Sequence, residues 1–219
     1  MRVVLLGATG MIGSGVLAAC LADPSVDQVI SVGRSEAPSS HPSLRQIVRA
    51  DLTDLSEVPE LAGIDACFFC VGVSAAGMNE AAYRRITYDL TLSVAEKLVE
   101  AAPGITVCYV SGQGTDSTEV GRFMWARVKG ATENRLLGMG IEAYMFRPGF
   151  VRPADGTRSR TPLYNVFYAV AGPLYPILRR LFPKYVTTAE NVGRAMIRVA
   201  REGYSKPILE NEDINALAP

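Results

Sequence analysis

The sequence predicts an α/β protein built on a doubly wound parallel sheet. Three observations carry that prediction. Short, nearly continuous apolar runs recur at residues 3–6, 28–33, 44–48, 64–73, 105–110 and 143–146, as expected of strands covered on both faces. Stretches of helical spacing separate most of these runs, and such alternation winds a parallel sheet with crossover helices. The chain also opens on strand, glycine turn and helix in immediate succession: Val3 to Leu6, then Gly7, Gly10 and Gly13, then the apolar run Val16 to Ala19.

That opening is the context a dinucleotide fingerprint needs. Gly7 permits a tight turn. Gly10 lets the backbone approach a pyrophosphate, and Gly13 lets the helix pack close to the strand. The helix start, with Thr9, Met11 and Ile12, offers N–H groups and a positive dipole end to phosphates. The first helix should run over residues 11–22 and stop near Asp23 and Pro24.

The totals bound the rest. A chain of 219 residues can bury a core as one domain, spanning 1–219, with 150–186 as a small cover on the substrate side. Lys plus Arg equals Asp plus Glu, 22 each, which disfavours nucleic acid or an anionic membrane surface as partner. A first strand at residue 3 leaves no room for a signal peptide, so a cytoplasmic protein is expected. Cys20, Cys67, Cys70 and Cys108 all lie in apolar stretches, where free thiols behave as small hydrophobes. Cys67 and Cys70 have redox spacing, but inside a strand-like run, so a core role is expected. One histidine, His41, supports no triad and no metal cluster.

Arg34 and Ser35 follow the second strand, about twenty residues after the glycines. An acidic residue there binds ribose hydroxyls, whereas an arginine can pair with a 2′-phosphate. NADP is therefore the expected cofactor; Glu36 leaves NAD open, and a solvated strand-end arginine is the alternative. The fourth strand is read as 64–73, and Val71, Gly72 and Val73 at its carboxyl end stand where ligands sit. Residues 78–102 read as one long helix with Tyr83, Ile86, Leu90, Val94, Leu98 and Ala101 in a core-facing stripe. Ser111 follows the fifth strand, and a helix over about 122–138 carries Trp125 and Lys129.

Gly7-x-x-Gly10-x-x-Gly13, with Ser111 and Lys129, resembles the extended and atypical short-chain dehydrogenase/reductase superfamily of epimerase/dehydratase-like or NmrA-like proteins. The resemblance covers the chain to about residue 210 and implies an NAD(P)-binding Rossmann fold. It places Asp51 and Leu52 beside the adenine, although a turn-capping role fits Asp51 equally. It implies that Ser111 polarises a substrate carbonyl, that Lys129 holds the nicotinamide ribose, and that Pro148 and Gly149 border the nicotinamide. The family's Tyr-x-x-x-Lys acid is replaced by Trp125, whose indole cannot deliver a proton at ordinary pH. The family's helix asparagine is replaced by Thr87.

Two functions follow: an NADP-dependent oxidoreductase on a small carbonyl or alcohol, or a non-catalytic NADP-binding module sensed by a partner. Residues 152–162, with Arg152, Arg158 and Arg160, read as a solvated loop, a face toward an anionic substrate being the alternative. The aromatic segment 163–182 nearly suits a membrane span, but its prolines and paired arginines argue for a pocket cover or a homo-oligomer contact. A membrane-surface role for it is the weaker alternative. Thr187 to Glu190 reads as a capping box, followed by a short last strand at 207–209 and a final turn at 213–217.

Overall fold

The computed structural model describes residues 1–53, 55, 58–153 and 184–218. Seven strands form one all-parallel sheet in the order β3-β2-β1-β4-β5-β6-β9. These are β1 (Arg2–Leu6), β2 (Gln28–Gly33), β3 (Leu44–Val48), β4 (Ala66–Phe69), β5 (Thr106–Val110), β6 (Ala143–Arg147) and β9 (Ile208–Glu210). A two-stranded parallel ribbon pairs β7 (Phe150–Arg152) with β8 (Val186–Thr188). The helices are α1 (Met11–Ala22), α2 (Glu80–Arg84), α3 (Leu90–Ala101), α4 (Met124–Leu137), α5 (Ala189–Glu202) and α6 (Asn211–Leu217).

The apolar strands are continuous because both faces are covered. In β1, Val3 and Leu5 enter the core with Val16, Val192 and Met196 of α1 and α5. Val4 and Leu6 enter a second core with Val94, Leu98 and Leu136 of α3 and α4. Alternation thus persists beneath an unbroken hydrophobic run. The same alternation answers the cysteine spacing. Cys67 sits with Phe69 on one face, whereas Cys70 packs with Ala66 and Phe68 on the other. All four cysteines are free thiols.

Several boundaries move for physical reasons. The strand read as 64–73 keeps sheet pairing only over Ala66–Phe69, because its partner β1 ends at Leu6 and turns away at Gly7. Cys70 still donates its N–H to the Leu6 carbonyl, 2.9 Å away; the following residues leave the sheet. The helix read as 78–102 divides into α2, a π-helical stretch Arg85–Asp89 and α3. Thr188, not Thr187, caps α5, accepting from the Asn191 N–H at 3.0 Å; Thr187 is buried in β8. A capping box is formed instead at α6 by Glu210 and Asp213, so the expected final turn is a helix. The β7–β8 ribbon was not predicted. It shows the two ends of the expected cover 150–186; residues 154–183, with Arg158, Arg160 and the aromatic segment 163–182, lie outside the described residues. Among the described residues no helix is long and apolar enough to cross a membrane.

Candidate functional site

Strand order reverses at β1 and β4, and α/β sheets bind ligands outside the carboxyl ends of strands at such a switch. A cleft of about 970 Å³ lies there. Gly7, Thr9, Gly10 and Met11 form one wall, Arg34, Ser35, Asp51 and Leu52 the second, and Val71, Gly72 and Val73 the third. The volume is at the upper end of ordinary small-molecule sites.

The glycines shape the first wall. Gly7 has φ +87°, and a Cβ there would stand 2.7 Å from the Cys70 carbonyl carbon and oxygen. Gly10 donates its N–H to the Gly7 carbonyl at 2.8 Å, and α1 then starts with no side chain capping it. Gly13 lies behind the cleft, where a Cβ would overlap the Gly7 carbonyl. Ile12, also expected at the cofactor, does not line the cleft.

The second wall carries charge. Arg34 is exposed at the end of β2. Gly33 pairs with Val48 across β2 and β3, so Arg34 and Arg49 are the next residues on adjoining strands. The Arg49 N–H donates to the Gly33 carbonyl at 2.9 Å. Asp51 makes an Asx turn, accepting from the Thr53 N–H at 2.8 Å and the Thr53 hydroxyl at 2.7 Å. Those bonds hold its carboxyl below the usual range. It therefore both caps a turn and lines the cleft.

Sequence reasoning missed Ala8, Ser31, Gly33, Ala50, Cys70, Ser74, Ile86 and Leu90, which also line the cleft. Most are neighbours of residues already singled out. Ile86 and Leu90 carried no separate signal, since they match the core stripe. Ile86 lies in the π-helical stretch and Leu90 opens α3 directly after it; Ile86 is 38% exposed.

Ser111, Trp125, Lys129, Pro148 and Gly149 form a second group that does not line this cleft. The Lys129 ammonium donates to the Ser111 carbonyl. Burial pushes its pKa down to about 8, against an upward pull from Glu133. The Ser111 hydroxyl is buried and donates to the Glu133 carboxylate, with the Phe146 carbonyl 3.2 Å away. It is thus engaged internally, a correction to the expectation that it faces a substrate carbonyl. Glu133 has no exposed side-chain surface and is paired with Arg147. The half-buried Trp125 indole rests on Gly114, whose Cβ would stand 3.3 Å from the ring. The Gln113 N–H donates to the Pro148 carbonyl at 2.9 Å, and the Gly149 N–H to Asn211 at 2.9 Å. Thr87 is buried, and its carbonyl accepts from the Thr91 hydroxyl.

Fold and site together define a Rossmann-type protein of the short-chain dehydrogenase/reductase kind. Residues 3–123 match the model of the NAD dependent epimerase/dehydratase family, and the chain belongs to that family. It is 29% identical over 205 residues to the mitochondrial protein fmp52 of Emericella nidulans, covering 90% of this chain and 85% of the relative. The fold is similar to that of MoeE5 in complex with UDP-glucose and NAD, with TM-score 0.66, 20% identity, and 99% of this chain and 80% of that one covered. It is also similar to a short-chain dehydrogenase/reductase of Saccharomyces cerevisiae, with TM-score 0.68, 16% identity, and 100% and 99% covered. The relative's mitochondrial name overturns the expectation of a cytoplasmic protein. The position of the first strand in the chain carries no information about cellular address.

Proposed function

We propose that the cleft binds NADP(H) in preference to NAD(H), and that the protein is a slow reductase of small carbonyl compounds. The observation that carries the cofactor reading is Arg34 with Ser35 in the cleft wall at the end of β2, with Arg49 beside it in register. The Arg34 guanidinium there suits a 2′-phosphate, and Arg49 adds positive charge on the adjoining strand. Gly7 and Gly10 admit the pyrophosphate, the start of α1 faces it, and Leu52 borders the adenine. Lys129, Pro148 and Gly149 serve the nicotinamide end. The cofactor supplies a hydride, and the developing alkoxide then needs a proton.

Among the described residues, Tyr83, Asp116 and Lys129 are the candidates to supply that proton. Tyr83 is buried and its phenol is pushed up by burial. Asp116 is held ionised by bonds from Thr118 and Gly121. Lys129, whose pKa burial pushes down to about 8, is the proposed acid, with Ser111 positioning it rather than touching substrate. Trp125 favours a second reading, a non-catalytic module whose NADP occupancy a partner senses.

Trp125 is the only tryptophan, so energy transfer from it reports binding of a reduced cofactor. NADPH should bind roughly ten- to hundredfold more tightly than NADH, equivalent to a charge-assisted contact of about 1.5–3 kcal/mol. Arg34→Ala should bring NADPH to the NADH level. Equal affinities in the wild type would reduce Arg34 to a solvated strand-end residue. Rapid wild-type turnover of NADPH on a carbonyl panel would sink the slow-reductase reading, and complete inertness would favour the sensor.

A further inference from the structure

Glu133 is a buried carboxylate with both oxygens engaged. Oε1 accepts from the Ser111 hydroxyl and from Arg147 Nε at 3.0 Å, and Oε2 accepts from Arg147 Nη2. Arg147 continues outward, with Nη1 3.3 Å from Glu210 and Nη2 donating to the Ser117 hydroxyl at 2.6 Å. One carboxylate therefore joins α4, the end of β5, the end of β6 and the start of α6.

Lys129 and Glu133 stand one turn apart on α4, where a lysine and a glutamate ordinarily meet. Among the described residues they form no ion pair. Arg147 and Ser111 occupy the carboxylate, and the ammonium goes to the Ser111 carbonyl instead. Ser111 is thus shared: its hydroxyl is fixed by Glu133 and its carbonyl fixes Lys129. Buried pairs of this kind contribute little net stability over apolar packing, which leaves orientation as the gain.

We propose that Glu133 is the positioning residue of the nicotinamide end: clamped by Arg147 and acting through Ser111, it fixes where the Lys129 ammonium stands. The proposal rests on the reading that the site takes NADP(H). The groups around Lys129 are Glu133 on its own helix and Ser111 and Gly112 from the loop after β5. Arg147 of β6 and Tyr109 of β5 face Glu133 behind it. Glu133 is the charge that holds the ammonium up against its burial.

The test uses the full chain with Glu133→Gln and Ser111→Ala. Two quantities are measured from pH 6 to 10: affinity for NADPH and NADH, and the acetylation rate of Lys129 by mass spectrometry. Glu133→Gln should lower the midpoint of Lys129 reactivity. It should also weaken both cofactors about tenfold at pH 8, because the nicotinamide half is common to them. Arg34→Ala, by contrast, should weaken NADPH alone. Ser111→Ala keeps both charges, so it should weaken both cofactors with a smaller change in the midpoint; it carries the same test where Glu133→Gln does not fold. Folded variants with wild-type affinity and an unchanged Lys129 midpoint would overturn the proposal. If the wild type binds neither cofactor, the functional reading fails; an unchanged Lys129 acetylation profile in folded Ser111→Ala, which keeps both charges, would then overturn the positioning role.

Discussion

Trp125 is the residue on which the proposed reduction would turn. It stands one helical turn before Lys129, where the resembled family carries its acid, rests on Gly114, and cannot deliver a proton at ordinary pH. General acid help is worth about 10²–10⁴ in rate. Trp125→Tyr should therefore raise carbonyl reduction toward that range, measured as NADPH oxidation against a carbonyl panel. No gain in a folded, cofactor-binding variant would show that the Tyr-x-x-x-Lys pair is not what limits this site. Lys129 makes a second residue-level prediction. Burial lowers its pKa from 10.5 to about 8, so between those values the unfolded chain binds more protons than the folded one. The Lys129 contribution to stability must then rise with pH through that window and stay flat below it. Melting of wild type and Lys129→Met from pH 7 to 10.5 checks the sign. A difference between them that moves the other way would contradict the buried ammonium.

At the scale of elements, α1, whose start lines the first cleft wall, packs closely against α5. Gly15 makes it possible: a Cβ there would overlap the Ala189 Cβ and stand 2.7 Å from the Ala189 carbonyl carbon. Backbone cannot swing aside as a long side chain can, so Gly15→Ala must push the helices apart. Overpacking of this kind costs about 1–3 kcal/mol, or roughly 2–12 °C in melting temperature for a chain of this size. Calorimetry measures it, and an unchanged melting temperature would mean that the helix pair yields without cost. The π-helical stretch Arg85–Asp89 is the other telling element. It departs from regular helix beside the cleft, with Ile86 inside it and Leu90 directly after it, a common placement for such widened turns.

At the scale of the whole molecule, the cleft exists because β1 lies between strands that wind outward in opposite directions. Its walls come from the ends of β1, β2, β3 and β4, so a ligand there ties both halves of the sheet. A ligand that binds only the folded state stabilises it by about 2.7 kcal/mol at one hundred times its Kd. NADPH should accordingly raise the melting temperature by roughly 5–10 °C at that excess, and NADH at equal concentration by less. A larger shift with NADH would reverse the assignment made on Arg34.

The sequence by itself determined the sheet, the strand–glycine–helix opening and the first helix at Met11–Ala22, because these depend on local apolar runs and on turns that only glycine allows. It also showed most of the cleft wall, since strand ends in this topology are the wall. The tertiary structure decided what depends on contacts distant in sequence. Ser111 reads as a strand-end hydroxyl for a substrate carbonyl, or as a plain turn serine; that Glu133, 22 residues away, holds it is seen only in the packed molecule. Arg49 gains meaning only from the register of β3 against β2. Ile86 matches a core stripe, yet in the packed molecule it is partly exposed and lines the cleft. The β7–β8 ribbon joins three-residue strands far apart in the chain, too short for any periodicity to announce. A pattern in sequence records which face of an element is apolar. Which polar groups meet across that face is fixed only when the elements pack.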